Sequence, residues 1–138
     1  MEAKFPSATF EIREAGNCFA LGRFTASVFH LMRVLEIGLT AVGKVFNVSL
    51  AHTNWEPAIR ELESKIRGMR QDPDWKSVSD YKEQQEFYAQ AISYLVVAKD
   101  AWRNYTVHAR GKFTEEEAAL MMKNIQAFMQ KISVRLGE

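Results

Sequence analysis

The sequence predicts an all-α fold, an antiparallel bundle of about five helices, and three observations lead to it. Apolar residues recur at intervals of three and four along four separate stretches, the spacing of amphipathic helices packed on one core. Proline occurs only at positions 6, 57 and 73, so long segments run without the strongest helix breaker. No stretch shows the comparable alternation of a half-buried strand.

Each element follows from local chemistry. A first helix begins near Ser7 and ends at Gly22, which suits the left-handed residue after a helix terminus. Phe24, Val28, Leu31, Leu35, Leu39, Val42 and Phe46 form the stripe of a long second helix. Ile59, Leu62, Ile66 and Met69 form a shorter third, with Pro57 acceptable in its first turn. Tyr81, Tyr88, Ile92, Leu95, Trp102 and Tyr105 share one stripe, read as a single fourth helix. Thr114-Glu115-Glu116-Glu117 fits a capping box opening the last helix, whose stripe is Ala118, Met121, Ile125, Phe128, Ile132 and Leu136. Residues around 47 to 54 and 71 to 78, rich in Asn, Asp, Ser and Pro, read as loops.

Length and composition confine the function. A chain of 138 residues, 47% hydrophobic and 25% charged, suits one domain over 1–138 without repeat or low-complexity tract. Because it starts almost directly in the first helical pattern, it also fits the carboxyl-terminal part of a longer protein. Eighteen Lys+Arg against seventeen Asp+Glu give a net charge of +1, so any nucleic-acid role rests on a local site rather than on a bulk field. The longest near-continuous apolar run, Ala91 to Ala98, falls short of the ~20 residues of a bilayer span, and no membrane association is expected. The amino terminus lacks a secretion-signal pattern and the single Cys18 offers no internal disulfide; a cytoplasmic location is expected.

Several suggestive patterns have plainer readings. Gly38-Leu39-Thr40-Ala41-Val42-Gly43-Lys44 matches a phosphate-binding loop until Val45 replaces the Ser or Thr that holds magnesium. The segment lies inside a helical stripe, so its glycines are expected to permit close helix packing or a bend. No histidine has a carboxylate three positions before it, so the Glu-x-x-His pairs of di-metal bundles are absent and no metal or cofactor is expected. Cys18 reads as a small buried hydrophobe with no base beside it in sequence. Trp55 and Trp75 read as lids on the bundle ends, and the methionines of the last helix as core filler. His30 lies on the face of the second helix that presents Arg33, and reads as a surface or interface residue. His52 falls in a polar loop, and Lys123, Lys131 and Arg135 read as a solvated face.

The stretch with the most chemistry is Lys99-Asp100-Ala101-Trp102-Arg103-Asn104-Tyr105-Thr106-Val107-His108. On an ideal helix Asp100, Asn104 and His108 are successive four-residue neighbours, and Arg103 lies three after Asp100. Arg103 and His108 diverge by about 140° on a straight helix. A shared site needs a helix end or a second subunit.

Arg103-Asn104-x-x-x-His108 resembles the R-x(4 to 6)-H motif of the HEPN domains (higher eukaryotes and prokaryotes nucleotide-binding). It stands near the end of the penultimate long helix of an all-helical chain. Glu14-Ala15-Gly16-Asn17-Cys18-Phe19-Ala20-Leu21-Gly22-Arg23-Phe24 and the residues through Phe29 resemble that family's first helix, tight turn and second helix. Arg33-Val34-Leu35-Glu36 places a carboxylate where many members have a polar residue. The resemblance covers most of the chain. It implies a homodimer in which two motifs meet and form a metal-independent endoribonuclease site, with Arg103, Asn104 and His108 carried over as its residues. Glu36, Asp100 and Arg33 are supporting polar candidates that the motif does not specify.

The residue types suit that chemistry. His108 would move the proton of the 2′-hydroxyl, since imidazole titrates near neutrality. Arg103 would stabilise charge on the phosphorane oxygens, and Asn104 would orient the histidine or the phosphate. Many members of the family are toxins or defence factors, which implies an antitoxin or another protein partner. Others are catalytically silent modules for dimerisation or partner binding. The intact trio favours the first reading, and the near-neutral charge favours the second.

Overall fold

The computed structural model describes residues 1–50, 55–107 and 111–138, with the backbone alone given at Asn104, Thr106 and Val107. Its described residues form helices and no strand. A 3-10 turn, Pro6–Ala8, leads into α1 (Thr9–Ala20), followed by α2 (Phe24–Phe46), α3 (Trp55–Arg67), a second 3-10 turn (Gly68–Arg70), α4 (Pro73–Lys76), α5 (Tyr81–Ser93), α6 (Leu95–Val107) and α7 (Glu115–Ile132).

α2 is the central helix, flanked by α1 and α7 and touched by α3. Its buried stripe includes Val28, Leu31, Leu35, Leu39 and Val42, and α7 answers with Met121, Ile125, Phe128, Met129 and Ile132. α3 packs on α5, and α7 also lies against α5 and α6. By length and composition α2 could cross a membrane, and 61% of its apolar window is buried inside the fold. Arg33, Glu36 and other polar residues interrupt the apolar run of this helix while leaving its apolar face intact.

The boundaries have local causes. Gly22 has φ +74° and turns the chain from α1 into α2. Asn47, with φ 57°, closes α2, and the Lys65 ammonium donates to the carbonyl of Phe46 at 3.0 Å, satisfying one orphan acceptor of that terminus. Gln85 does the same for α3 through the Ile66 carbonyl at 2.8 Å. The capping box of α7 forms as expected: the Thr114 hydroxyl accepts from the Glu117 amide at 3.2 Å and the Glu117 carboxylate accepts from the Thr114 amide at 3.0 Å.

Two expected element boundaries are corrected. The segment 71 to 78 is not all loop, because the Asp72 carboxylate caps the single helical turn α4. The supposed fourth helix is two, divided at Tyr94. There the Ser93 hydroxyl donates to the Gln90 carbonyl at 2.6 Å, and the Tyr94 amide pairs with Ala91 three residues back. Local hydroxyl bonding of this kind competes with the regular ladder and interrupts a helix without any Gly or Pro.

The glycines of the loop-like motif serve packing. A Cβ at Gly38 would stand 2.7 Å from Cε1 of Phe128 and 2.5 Å from Sδ of Met129, and one at Gly43 would meet the Val48 carbonyl oxygen. These positions let α7 and the chain after α2 approach the α2 backbone. Trp55 is buried and Trp75 half-buried, the latter 5.4 Å from Phe46. Lys131 and Arg135 do not form a plain solvated face: both lie over the ring of Phe87, at 5.0 and 5.2 Å. Arg135 also approaches Asp80 at 3.7 Å. Lys123 is exposed.

Candidate functional sites on two faces

The carboxyl-terminal half of α6 is held by aromatic packing. Trp102 meets Phe29 of α2 edge-on at 5.6 Å, and Tyr105 stacks on Phe113 at 4.5 Å and 15°. Trp55 of α3 approaches Trp102 at 6.3 Å. The Phe113 amide donates to the Thr25 hydroxyl at 2.9 Å, fastening the chain before α7 to the start of α2. The residues on either side of the 108 to 110 stretch are thereby anchored to α2.

With Trp102 turned inward, its neighbour Arg103 is exposed, as is Asp100 one turn earlier. Val96, Asp100 and Arg103 are spaced by four and three, so they share one exposed face of α6. Asn104 lies on the α6 backbone, whereas its side chain, and the whole of His108, lie outside the described residues. His52 lies outside them too. Of the supporting candidates, Glu36 is exposed on α2. Arg33 is committed elsewhere, its Nε donating to Glu11 Oε1 of α1 at 2.9 Å. A concavity of about 530 Å³ beside this region is lined by Arg23, Thr25, Lys112 and Phe113.

A second polar group lies between α1 and α2 and was not legible as a set. The Glu11 carboxylate is shared: Oε1 pairs with Arg33, and Oε2 is 2.6 Å from Nδ1 of His30. His30 is therefore a half-buried interhelical partner of Glu11, and Phe10 packs against its ring at 6.3 Å. Ligand atoms of Glu14, Cys18 and His30 all lie within 4.8 Å of one another. Cys18 is half-buried rather than buried, the Glu14 carboxylate stands one turn before it on α1, and an imidazole comes to it from α2. The absence of Glu-x-x-His pairs described one helix at a time, and so missed donors gathered from two. Gly22 and the crossing at Ser27, whose hydroxyl donates to the Ala15 carbonyl at 2.7 Å, bring them together.

No protein-family model, curated protein or solved structure matches this chain.

Proposed function

We propose that the chain is a metal-independent endoribonuclease of HEPN type, acting as a homodimer whose composite site combines Arg103, Asn104 and His108 of two copies. The observation that carries the reading is the placement of Arg103. It is exposed on the penultimate long helix, in a segment whose inward residues, Trp102 and Tyr105, are packed on α2 and Phe113. That packing fixes the backbone from which Arg103 projects, and an exposed arginine on a fixed helix suits a phosphate clamp. The nearby concavity adds Arg23 and Lys112 as cations for neighbouring phosphates.

In this mechanism the 2′-oxygen of RNA attacks the adjacent phosphorus as His108 accepts its proton. A cyclic phosphate forms, the bond to the 5′-oxygen breaks, and that oxygen takes up a proton as it leaves. Arg103 stabilises the phosphorane oxygens and Asn104 orients the phosphate or the imidazole. Asp100, on the exposed face of α6 that carries Arg103, stands as a positioning group. The divergence of Arg103 and His108 on a straight helix calls for the second copy, which an isologous interface supplies.

Single-stranded RNA incubated with purified protein in EDTA should give 2′,3′-cyclic phosphate ends. Arg103→Ala and His108→Ala should each remove this activity while the far-ultraviolet circular dichroism is retained. Sedimentation at micromolar concentration should show a dimer.

A second reading, a catalytically silent dimerisation or partner-binding module, is favoured by exposed apolar side chains in this region. Phe29 and Val96 are each 43% exposed, and Val96 shares the face of Arg103. Such residues suit an interface core more than an RNA groove. The silent reading holds if the wild type cuts no RNA while a protein partner binds through the face of Arg103 and His108.

A further inference from the structure

We propose that Glu14, Cys18 and His30 form a binding site for zinc or a similar borderline-soft divalent cation, on the α1–α2 face. It is separate from the α6 region: Phe29 turns to Trp102 while His30, one residue on, turns to Glu11.

The donor set is specific in kind. A thiolate, an imidazole and a carboxylate are the ligand types of zinc, and the thiolate disfavours magnesium and calcium, which take oxygen donors. Their ligand atoms already lie within 4.8 Å of one another. In a tetrahedral site with bonds of about 2.0 to 2.3 Å, ligand atoms stand roughly 3.5 Å apart, so rotamer adjustments of about an ångström close the set. Glu14 and Cys18 are spaced by four on α1 and project from one face, and His30 approaches from the antiparallel helix.

The decisive feature is Glu11. Metal-binding histidines almost always present the other ring nitrogen to a carboxylate or carbonyl, which fixes the tautomer and turns the lone pair toward the metal. Glu11 Oε2, 2.6 Å from Nδ1 of His30, has that arrangement, and a cation held by this histidine would take Nε2. Arg33 in turn holds the other oxygen of Glu11 at 2.9 Å. Charge balances as well: thiolate and Glu14 neutralise a dication, and the Cys18 proton is released on binding. Three protein donors leave a fourth position for water. All three are half-buried, partly sheltered and still reachable from solvent.

Cobalt(II) titrated into the reduced full chain should produce a near-ultraviolet thiolate-to-cobalt charge-transfer band that saturates at one equivalent and is displaced by zinc. Cys18→Ser should abolish the band, and His30→Ala and Glu14→Gln should weaken binding of zinc in competition with a chromophoric chelator. Glu11→Gln should lower zinc affinity by about 10- to 100-fold, the usual effect of removing an orienting partner. Because Glu11 also holds Arg33, that variant is compared at equal circular dichroism; Cys18→Ser and Glu14→Gln leave the pair intact and carry the test if it misfolds. The inference is overturned if the folded, reduced wild type shows no thiolate band at micromolar cobalt, or if Cys18→Ser binds zinc as tightly as the wild type. RNA cleavage in EDTA bears on neither outcome.

Discussion

The end of α6 and the α1–α2 junction both gather chemically capable side chains, and they do so by opposite routes. Asp100, Arg103 and Asn104 belong to one helix, so their relation is set by spacing along the chain. Glu11 and His30 are 19 positions apart and meet because two helices cross. The first group stands on a helix backed by aromatic rings, Trp102 and Tyr105 against Phe29 and Phe113. The second consists of paired groups locked to each other, with Arg33 and His30 on one carboxylate. A motif contained in a single helix is easy to find but says little about its surroundings. A cluster spanning two helices is hidden in sequence, yet each member explains the position of the others.

The largest expected effect separates the two regions by function. Arg103→Ala or His108→Ala should lower chelator-insensitive RNA cleavage by about 10² to 10⁴, the range for losing a charge-stabilising donor or a general base. Cys18→Ser should leave that rate within a factor of about two, since a half-exposed polar substitution has little effect on stability. Equal losses in the kinetic assay would break the separation.

Next in size are changes at the α2–α7 seam, which supports both regions alike. Phe128→Ala should destabilise the fold by about 3 to 5 kcal/mol, because the ring is fully buried. Gly38→Ala should cost about 1 to 3 kcal/mol, since the added methyl meets Phe128 and Met129. Denaturant unfolding measures both, and a neutral Gly38→Ala would mean that α7 shifts freely on α2.

Smaller effects sharpen the contrast. Ser27→Ala removes the buried hydroxyl that donates to Ala15 across α1 and α2, and should cost about 1 to 2 kcal/mol. It should also weaken cobalt binding more than RNA cleavage, because it loosens one crossing and leaves α6 alone. Thr114→Ala should cost about 1 kcal/mol through loss of the α7 cap, with little influence on either site.

The smallest is a pH effect far from both. Burial pushes the Tyr88 phenol above its ordinary value, partly offset by Arg135. The folded protein thus holds that proton at alkaline pH where the unfolded chain releases it. Stability from this group is fully present below the unfolded value of about 10 and falls as pH rises above it. Urea melts of Tyr88→Phe should show a shallower alkaline decline than the wild type.

Sequence alone determined the helical class, the burial of the main stripes, the turn at Gly22 and the capping box at Thr114, because each depends on residues within a few positions of one another. It also exposed the α6 motif for the same reason. It could not place the division at Tyr94, since the apolar stripe continues through it while a hydroxyl bond from Ser93 to Gln90 interrupts the ladder. Nor could it show that Gly38 admits Phe128 and Met129, or that Lys131 and Arg135 cover Phe87. The union of Glu11, Glu14, Cys18, His30 and Arg33 was decided only by tertiary structure. Periodicity says which face of a helix is buried, but the neighbour across that face, and the rotation at which two helices meet, come from packing the whole core at once.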